Sequence, residues 1–271
     1  MKDFNDKIVT ITGAASGMGR AYAIEFARLG CRLALCDLDA KGLQETINLV
    51  QTISPKPNLQ MIVNVAKDQE VANFALQVKS TLGDTNILIN NAGIEGAAEP
   101  AWAISDKQLR NLMDINYFGV ANCCREFFPQ LQAVDEAVIV NVSSIFGLAG
   151  VPTQTDYCSS KFAVRGFTES LMAELKDSHI LVVCLHPGGI STNIVKHAAN
   201  QEFSQQKLTT PPEDIAKHLI RSIERKQQRV VYGNMALRTK IATQFLPLKW
   251  VVKLISAATP KELNIREYFN K

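Results

Sequence analysis

The sequence predicts an α/β fold, a doubly wound parallel sheet of about seven strands with helices on both faces, on three observations. Short apolar runs recur along the chain, at Ile8–Thr12, Leu33–Cys36, Met61–Val65, Ile87–Ile89, Ala137–Val142, Leu181–Leu185 and Val230–Tyr232. These runs are nearly continuous in apolar residues rather than alternating, as strands covered on both faces must be. Patterns of helical length lie between them, among them Ala21–Leu29, Leu43–Ile53, Val71–Leu82 and Asp106–Leu131. Repeated βαβ units of this kind imply parallel pairing. No linker rich in Gly, Pro or Ser divides the alternation, so residues 1–271 are expected to form one domain.

Composition narrows the function classes. With 46% hydrophobic and 20% charged residues in 271, a full core is expected and general disorder is not. The net charge is only +3, but residues 213–271 carry 12 Lys and Arg against 5 Asp and Glu, which leaves the rest of the chain at −4. No basic run is interleaved with aromatics, so no nucleic-acid partner is expected. The six cysteines (Cys31, Cys36, Cys123, Cys124, Cys158, Cys184) lack metal-ligand spacing, and several lie in apolar patterns. They read as reduced thiols of a cytoplasmic protein without a metal site. A strand pattern begins almost at once, leaving no room for a signal peptide, and no apolar run is long enough to span a membrane.

The first strand runs into Thr12-Gly13-Ala14-Ala15-Ser16-Gly17-Met18-Gly19 and then a helix. Glycines at a strand–helix junction let the backbone turn tightly and approach a pyrophosphate, which rests on the helix N-terminus. The second strand ends at Cys36-Asp37. A carboxylate there can accept hydrogen bonds from ribose hydroxyls and opposes a 2′-phosphate, so NAD is expected over NADP; a helix N-cap is the structural alternative for Asp37. Asn90-Asn91-Ala92-Gly93 closes the fourth strand, where small and amide residues suit a ligand crevice or a plain turn. In the next helix Leu109, Leu112, Asn116, Val120, Cys123 and Phe127 share a stripe, which puts the Asn116 amide among apolar neighbours. There it must pair or pay a burial cost.

Ser144 follows the fifth strand, and Tyr157-x-x-x-Lys161 follows Ser144 by thirteen residues. In a helix starting near Thr155, Tyr157 and Lys161 lie about one turn apart on one face. A free tyrosine titrates near pKa ~10; a nearby ammonium favours the phenolate and brings the group towards the working range. Ser144 can donate a hydrogen bond to the same reacting oxygen. Leu185-His186-Pro187-Gly188-Gly189 ends the sixth strand, and His186 reads as structural. Residues 189–212 form a polar, irregular segment expected to be mobile on the substrate side. Pro211-Pro212-Glu213-Asp214 then starts another helix. Residues 234–271 form an apolar, basic extension in which Leu237, Ile241, Phe245, Leu248, Val252 and Ile255 make a helical stripe. That stripe is expected to pack on the domain or on a partner subunit in preference to an anionic membrane surface or an acyl carrier.

Together these motifs resemble the short-chain dehydrogenase/reductase family from roughly Lys7 to Tyr232: TGxxxGxG at Thr12–Gly19, NNAG at Asn90–Gly93, the helical Asn116, Ser144, YxxxK, and Pro187-Gly188. The resemblance implies a Rossmann-type sheet and hydride transfer between a nicotinamide and an alcohol or carbonyl carbon. It implies Tyr157 as general acid/base, Lys161 lowering its pKa and holding the nicotinamide ribose, Ser144 positioning the substrate oxygen, and Asn116 supporting a water relay. It also implies a cofactor site of Gly13, Ser16, Gly17, Met18, Gly19, Asp37, Asn64, Val65, Asn91, Ala92, Gly93, Tyr157, Lys161, Pro187, Gly188, Ile190 and Thr192. Asn64-Val65 stands where the family often has Asp-Val. A homodimer or homotetramer is implied as well. Two functions follow: an enzyme acting on a small-molecule alcohol or ketone, expected to be lipophilic because Ile94, Trp102, Ile145, Phe146, Leu148, Val151 and Ile194 are apolar; or an idle dinucleotide-binding sensor or scaffold. An idle descendant would be expected to have lost one of Asn116, Ser144, Tyr157 or Lys161, and none is missing.

Overall fold

The computed structural model describes residues 1–192, 194 and 206–258. Seven parallel strands form one sheet in the order β3-β2-β1-β4-β5-β6-β7. They are β1 Ile8–Thr12, β2 Arg32–Asp37, β3 Asn58–Ile62, β4 Ile87–Asn90, β5 Ala137–Val142, β6 Ile180–Pro187 and β7 Arg229–Tyr232. The helices are α1 Gly17–Arg28, α2 Ala40–Ile53, α3 Asp68–Thr81, α4 Asp106–Met113, α5 Gly119–Ala133, α6 Thr155–Glu174, α7 Pro212–Glu224, α8 Ala236–Phe245 and α9 Leu248–Ala258. Strand order reverses between β1 and β4, which opens a crevice at the carboxyl ends of those strands.

Each central strand feeds two cores. On β4, Ile87 and Ile89 join Phe26, Leu35 and Leu219 under α1, α2 and α7. Leu88 points the other way and joins Phe74, Phe127 and Val164 under α3, α5 and α6. This two-sided burial is the physical reason for continuously apolar strands. Helix starts are locally encoded: Asp39 caps α2 by accepting from the Gly42 N–H at 3.1 Å. Ser105 and Gln108 form a capping box on α4.

Three expected elements differ. The third strand is Asn58–Ile62, not Met61–Val65. It is the sheet edge and half-exposed, so its pattern is mixed; the apolar Val63 and Val65 lie beyond its end and pack into the core. The single helix expected over Asp106–Leu131 is α4 and α5 joined by a π-turn at Asp114–Phe118. Leu109, in the first turn of α4, is exposed, while Leu112, Asn116, Val120, Cys123 and Phe127 are buried. Most of the extension's stripe is not covered by the domain: Leu237, Ile241, Phe245, Leu248 and Val252 are exposed, while Ile255 is half-buried. Of the segment expected to be mobile, residues 193 and 195–205 lie outside the described residues, as do residues 259–271 of the extension.

Candidate active site

The glycine loop is held from three sides. Gly13 has φ +68°, and a Cβ there would sit 2.8 Å from the Ala92 Cα; at Gly19 a Cβ would meet the Gly13 carbonyl at 2.0 Å. Only glycine fits both positions. The Ala15 N–H donates to Asp37 Oδ2 at 2.9 Å, and the Asp39 N–H donates to Asp37 Oδ1 at 3.0 Å. Asp37 thus ties the loop to the end of β2, while Asp39 is the cap of α2. Thr12 Oγ1 accepts from the Asn91 and Ala92 N–H groups, both at 3.0 Å. Asn91 Nδ2 donates to the Thr12 and Gly13 carbonyls at 3.0 and 3.1 Å. Asn91 Oδ1 is buried with no partner among the described residues. Thr192 faces Gly17, where a Cβ would lie 3.1 Å from its side chain. Arg20, the cation nearest this loop in sequence, turns inward to the Ala15 and Gly42 carbonyls, Thr46 and Glu45.

Asn64 and Val65 follow β3. Asn64 Oδ1 accepts from the Ala66 N–H at 3.0 Å, and the Val65 carbonyl accepts from Asn122 Nδ2 at 3.2 Å. Both residues serve the turn into α3, and Val65 is buried against Gly119.

A cavity of about 140 Å³ opens at the carboxyl edge between the loop after β4, β5, α6 and the segment after β6. Met18, Asn91, Gly93, Ser144, Tyr157, Lys161, Pro187, Gly188, Ile190 and Thr192 all line it. Tyr157 and Lys161 sit in the first turns of α6, and Lys161 Nζ lies 5.6 Å from the Tyr157 ring centre. Contrary to the fall expected from Lys161, burial pushes the Tyr157 phenol up to about 12, and the hydrogen bond with Ser144 works against that rise. Burial pulls the Lys161 ammonium down to about 8. Lys161 Nζ donates to the Val142 carbonyl at 3.1 Å, and no carboxylate pairs with it among the described residues.

Asn116 lies in the π-turn, fully buried. Its Oδ1 accepts from the Ile94 N–H at 2.8 Å, and its Nδ2 donates to the Ile94 carbonyl at 3.0 Å and to Ser160 Oγ at 3.2 Å. It therefore clamps the loop after β4 to α6, one residue before Lys161. His186 is buried, its Nδ1 2.9 Å from the Ser144 carbonyl, and burial lowers it to about 4. It is neutral at pH 7 and supports the Ser144 backbone from below, as a structural residue would.

Glu95, Gln154 and Met235 line the cavity without a sequence signal, whereas Lys207 and Leu208 come from the 189–212 segment expected on the substrate side. Conversely, Ile145, Phe146 and Ile194 line the cavity, but Ile94, Trp102, Leu148 and Val151 do not. Trp102 is exposed. Asp156 was hidden as well. It is buried, accepts from the Ala97 N–H at 2.8 Å through Oδ2 and from the Tyr157 N–H at 2.8 Å through Oδ1, and so pins the same loop to the first turn of α6. In sequence it reads only as an acid in a helix's first turn.

Comparison with known proteins agrees with this architecture. Residues 7–202 match the short chain dehydrogenase family. The putative oxidoreductase SadH of Mycobacterium tuberculosis is 33% identical over 275 residues, covering 96% of this chain and 98% of that protein. Estradiol 17-beta-dehydrogenase 11 of Rattus norvegicus is 31% identical over 248 residues, covering 90% and 81%. The crystal structure of a short chain dehydrogenase/reductase from Burkholderia phymatum in complex with NAD superposes with a TM-score of 0.80 at 26% identity, covering 85% and 90%. The fold, the ordered motifs and these matches together make this chain a member of the short-chain dehydrogenase/reductase family of oxidoreductases.

Proposed function

We infer that this protein interconverts a secondary alcohol and a ketone with NAD(H), and that Tyr157 moves the proton. The observation that carries the reading is that Ser144, Tyr157 and Lys161 line one cavity, beside the glycine-loop residues Met18 and Asn91. The fit rests on this chain's own atoms. Gly13 and Gly19 leave backbone space that no side chain could share. Among the described residues Asn91 Oδ1 is a buried acceptor without a partner and Lys161 is a buried cation without a carboxylate. Asp37, at the end of β2, would accept from the adenosine ribose. The glycine loop and the N-terminus of α1 would hold the pyrophosphate, with Thr192 beside Gly17. A bound nicotinamide supplies or accepts the hydride.

The protein supplies the rest. In the reducing direction the Tyr157 hydroxyl, protonated at neutral pH, gives its proton to the carbonyl oxygen as the carbon accepts hydride. Ser144 donates a hydrogen bond to that oxygen and fixes its position. The tyrosinate left behind is stabilised by Ser144 and by the Lys161 charge, and recovers a proton from solvent. Oxidation runs the same path backwards. Asn116 contributes by holding the loop and the Ser160 end of α6, and a water between its region and Lys161 would complete a proton path.

The substrate class is a lipophilic ketone or alcohol. Val142, Ile145, Phe146, Ile190, Ile194, Leu208 and Met235 give the cavity an apolar wall, with Lys207 and Glu95 at its polar side. Each methylene buried there contributes about 0.8 kcal/mol. The test is NADH consumption across ketones of increasing chain length: efficiency should climb with length and then level off. A panel in which small polar ketols surpass every medium-chain or cyclic ketone would refute the lipophilic class, and no turnover with any carbonyl would favour an idle module.

A further inference from the structure

Residues Arg225–Ala258 contain seven Lys and Arg and no Asp or Glu. Within this stretch α8 and α9 leave Leu237, Ile241, Phe245, Leu246, Leu248, Trp250, Val252 and Leu254 exposed, while only Ala236 and Val251 are buried. Leu237, Ile241 and Phe245 lie at four-residue spacing, so they make one continuous ridge along α8. Contiguous exposed apolar residues on this scale mark an interaction surface rather than an ordinary protein exterior. Lys253 Nζ lies 5.6 Å from the centre of the Trp250 ring. An aliphatic stem along apolar surface with its charge at the rim, beside an indole, is the arrangement that suits a boundary between hydrocarbon and water.

We propose that α8 and α9 form a docking face for an anionic membrane surface, with Leu237, Ile241, Phe245, Leu248 and Trp250 entering the headgroup boundary and Arg238, Lys240, Lys249 and Lys253 engaging lipid phosphates. Charge decides the occupant. A second copy of this chain related by two-fold symmetry would set this basic, acid-free face against an identical one, which like-charge repulsion opposes. An anionic leaflet complements the charge and the apolar ridge together. Among the described residues neither helix is long and apolar enough to cross a bilayer, so the proposal places the face on the surface. Its position has a consequence that rests on the reading of the site given above. Met235, which lines the cavity, directly precedes α8, so a docked protein holds its cavity beside the bilayer, from which a lipophilic substrate can enter.

The test is co-sedimentation of the full-length protein with vesicles of two parts phosphatidylcholine to one part phosphatidylglycerol, against vesicles of phosphatidylcholine alone. The protein should pellet with the anionic vesicles, release as salt is raised, and bind the neutral ones weakly. Each lysine near such a surface is worth about a factor of five in partitioning. The double variant Lys249→Glu/Lys253→Glu should therefore bind more than about twentyfold less, and Phe245→Ser/Trp250→Ser should also lose binding. Both pairs are on the surface, so thermal midpoint and lipid-free turnover should stay at wild-type values. Wild-type protein remaining in the supernatant with anionic vesicles, equal binding to neutral vesicles, or undiminished binding by both variants would each overturn the proposal. So would a lipid-free oligomer that Phe245→Ser/Trp250→Ser converts to monomer, since a second copy would then cover the face. Lipid-free turnover is read separately, so failure of docking and failure of the proposed reaction give different results.

Discussion

Lys161 is held against its own solvation. It is 4% exposed, its one hydrogen bond among the described residues is to a carbonyl, and burial lowers it from 10.5 to about 8. Keeping that ammonium charged at neutral pH costs the fold on the order of 3 kcal/mol by the linkage relation. The folded value lies below the unfolded one, so the unfolded chain binds the extra proton between them and stability gains as pH rises from about 8 towards 10.5. Lys161→Met should therefore raise the urea midpoint of the free protein at pH 7 while abolishing turnover, and should flatten the alkaline gain. A variant less stable than wild type at pH 7 would contradict this account of the charge. Asp37 makes the second residue-scale prediction. Its carboxylate would meet a 2′-phosphate, and Arg20 is committed elsewhere. Asp37→Ser with Leu38→Arg, the latter at an exposed position, should move the kcat/KM ratio towards NADP. Absolute NAD efficiency should fall too, because the Ala15 and Asp39 N–H groups lose their acceptor. Steady-state kinetics with both cofactors check it. At this scale the Tyr157/Lys161 pair was legible because helical spacing is local. Asp156 was not, because its partner Ala97 is 59 residues away.

Among elements, the loop after β4 is positioned by two clamps, Asn116 from the π-turn and Asp156 from α6. Asp156→Asn puts one amide donor where two backbone N–H groups need acceptors. A hydrogen bond to a charged group is worth about 1.5–3 kcal/mol, so KM for the ketone should rise about tenfold or more, with kcat and NADH affinity changed less. An equal loss in NADH affinity would instead mean that the glycine-loop crevice depends on this clamp. The π-turn itself had no sequence signature: a stripe at spacings of three and four reads as one continuous helix whether or not one residue is inserted. The displaced third strand has a similar cause. A search for unbroken apolar runs finds central strands and slides past an edge strand, which needs only one covered face.

At the scale of the whole molecule, the order of the sheet was legible because βαβ connections leave few topologies open, and the motif residues gather where the strand order reverses. What the sequence concealed lies in segments whose neighbours are set by packing alone. Met235 reaches the cavity from the turn before α8, and within the 189–212 segment expected on the substrate side nothing in the pattern picks out Lys207 and Leu208 as the lining residues. The extension carries a helical stripe, but period says nothing about whether a face is covered. The proposed reaction turns on the phenol of Tyr157 as proton donor and acceptor. The most direct measurement is the turnover of Tyr157→Phe beside its affinity for NADH. A positioned acid/base supplies about 10²–10⁴ in rate. The variant should therefore lose at least that factor in both directions while NADH still binds, because the ring remains and only the hydroxyl is gone. Turnover near the wild-type rate with NADH bound would contradict the account.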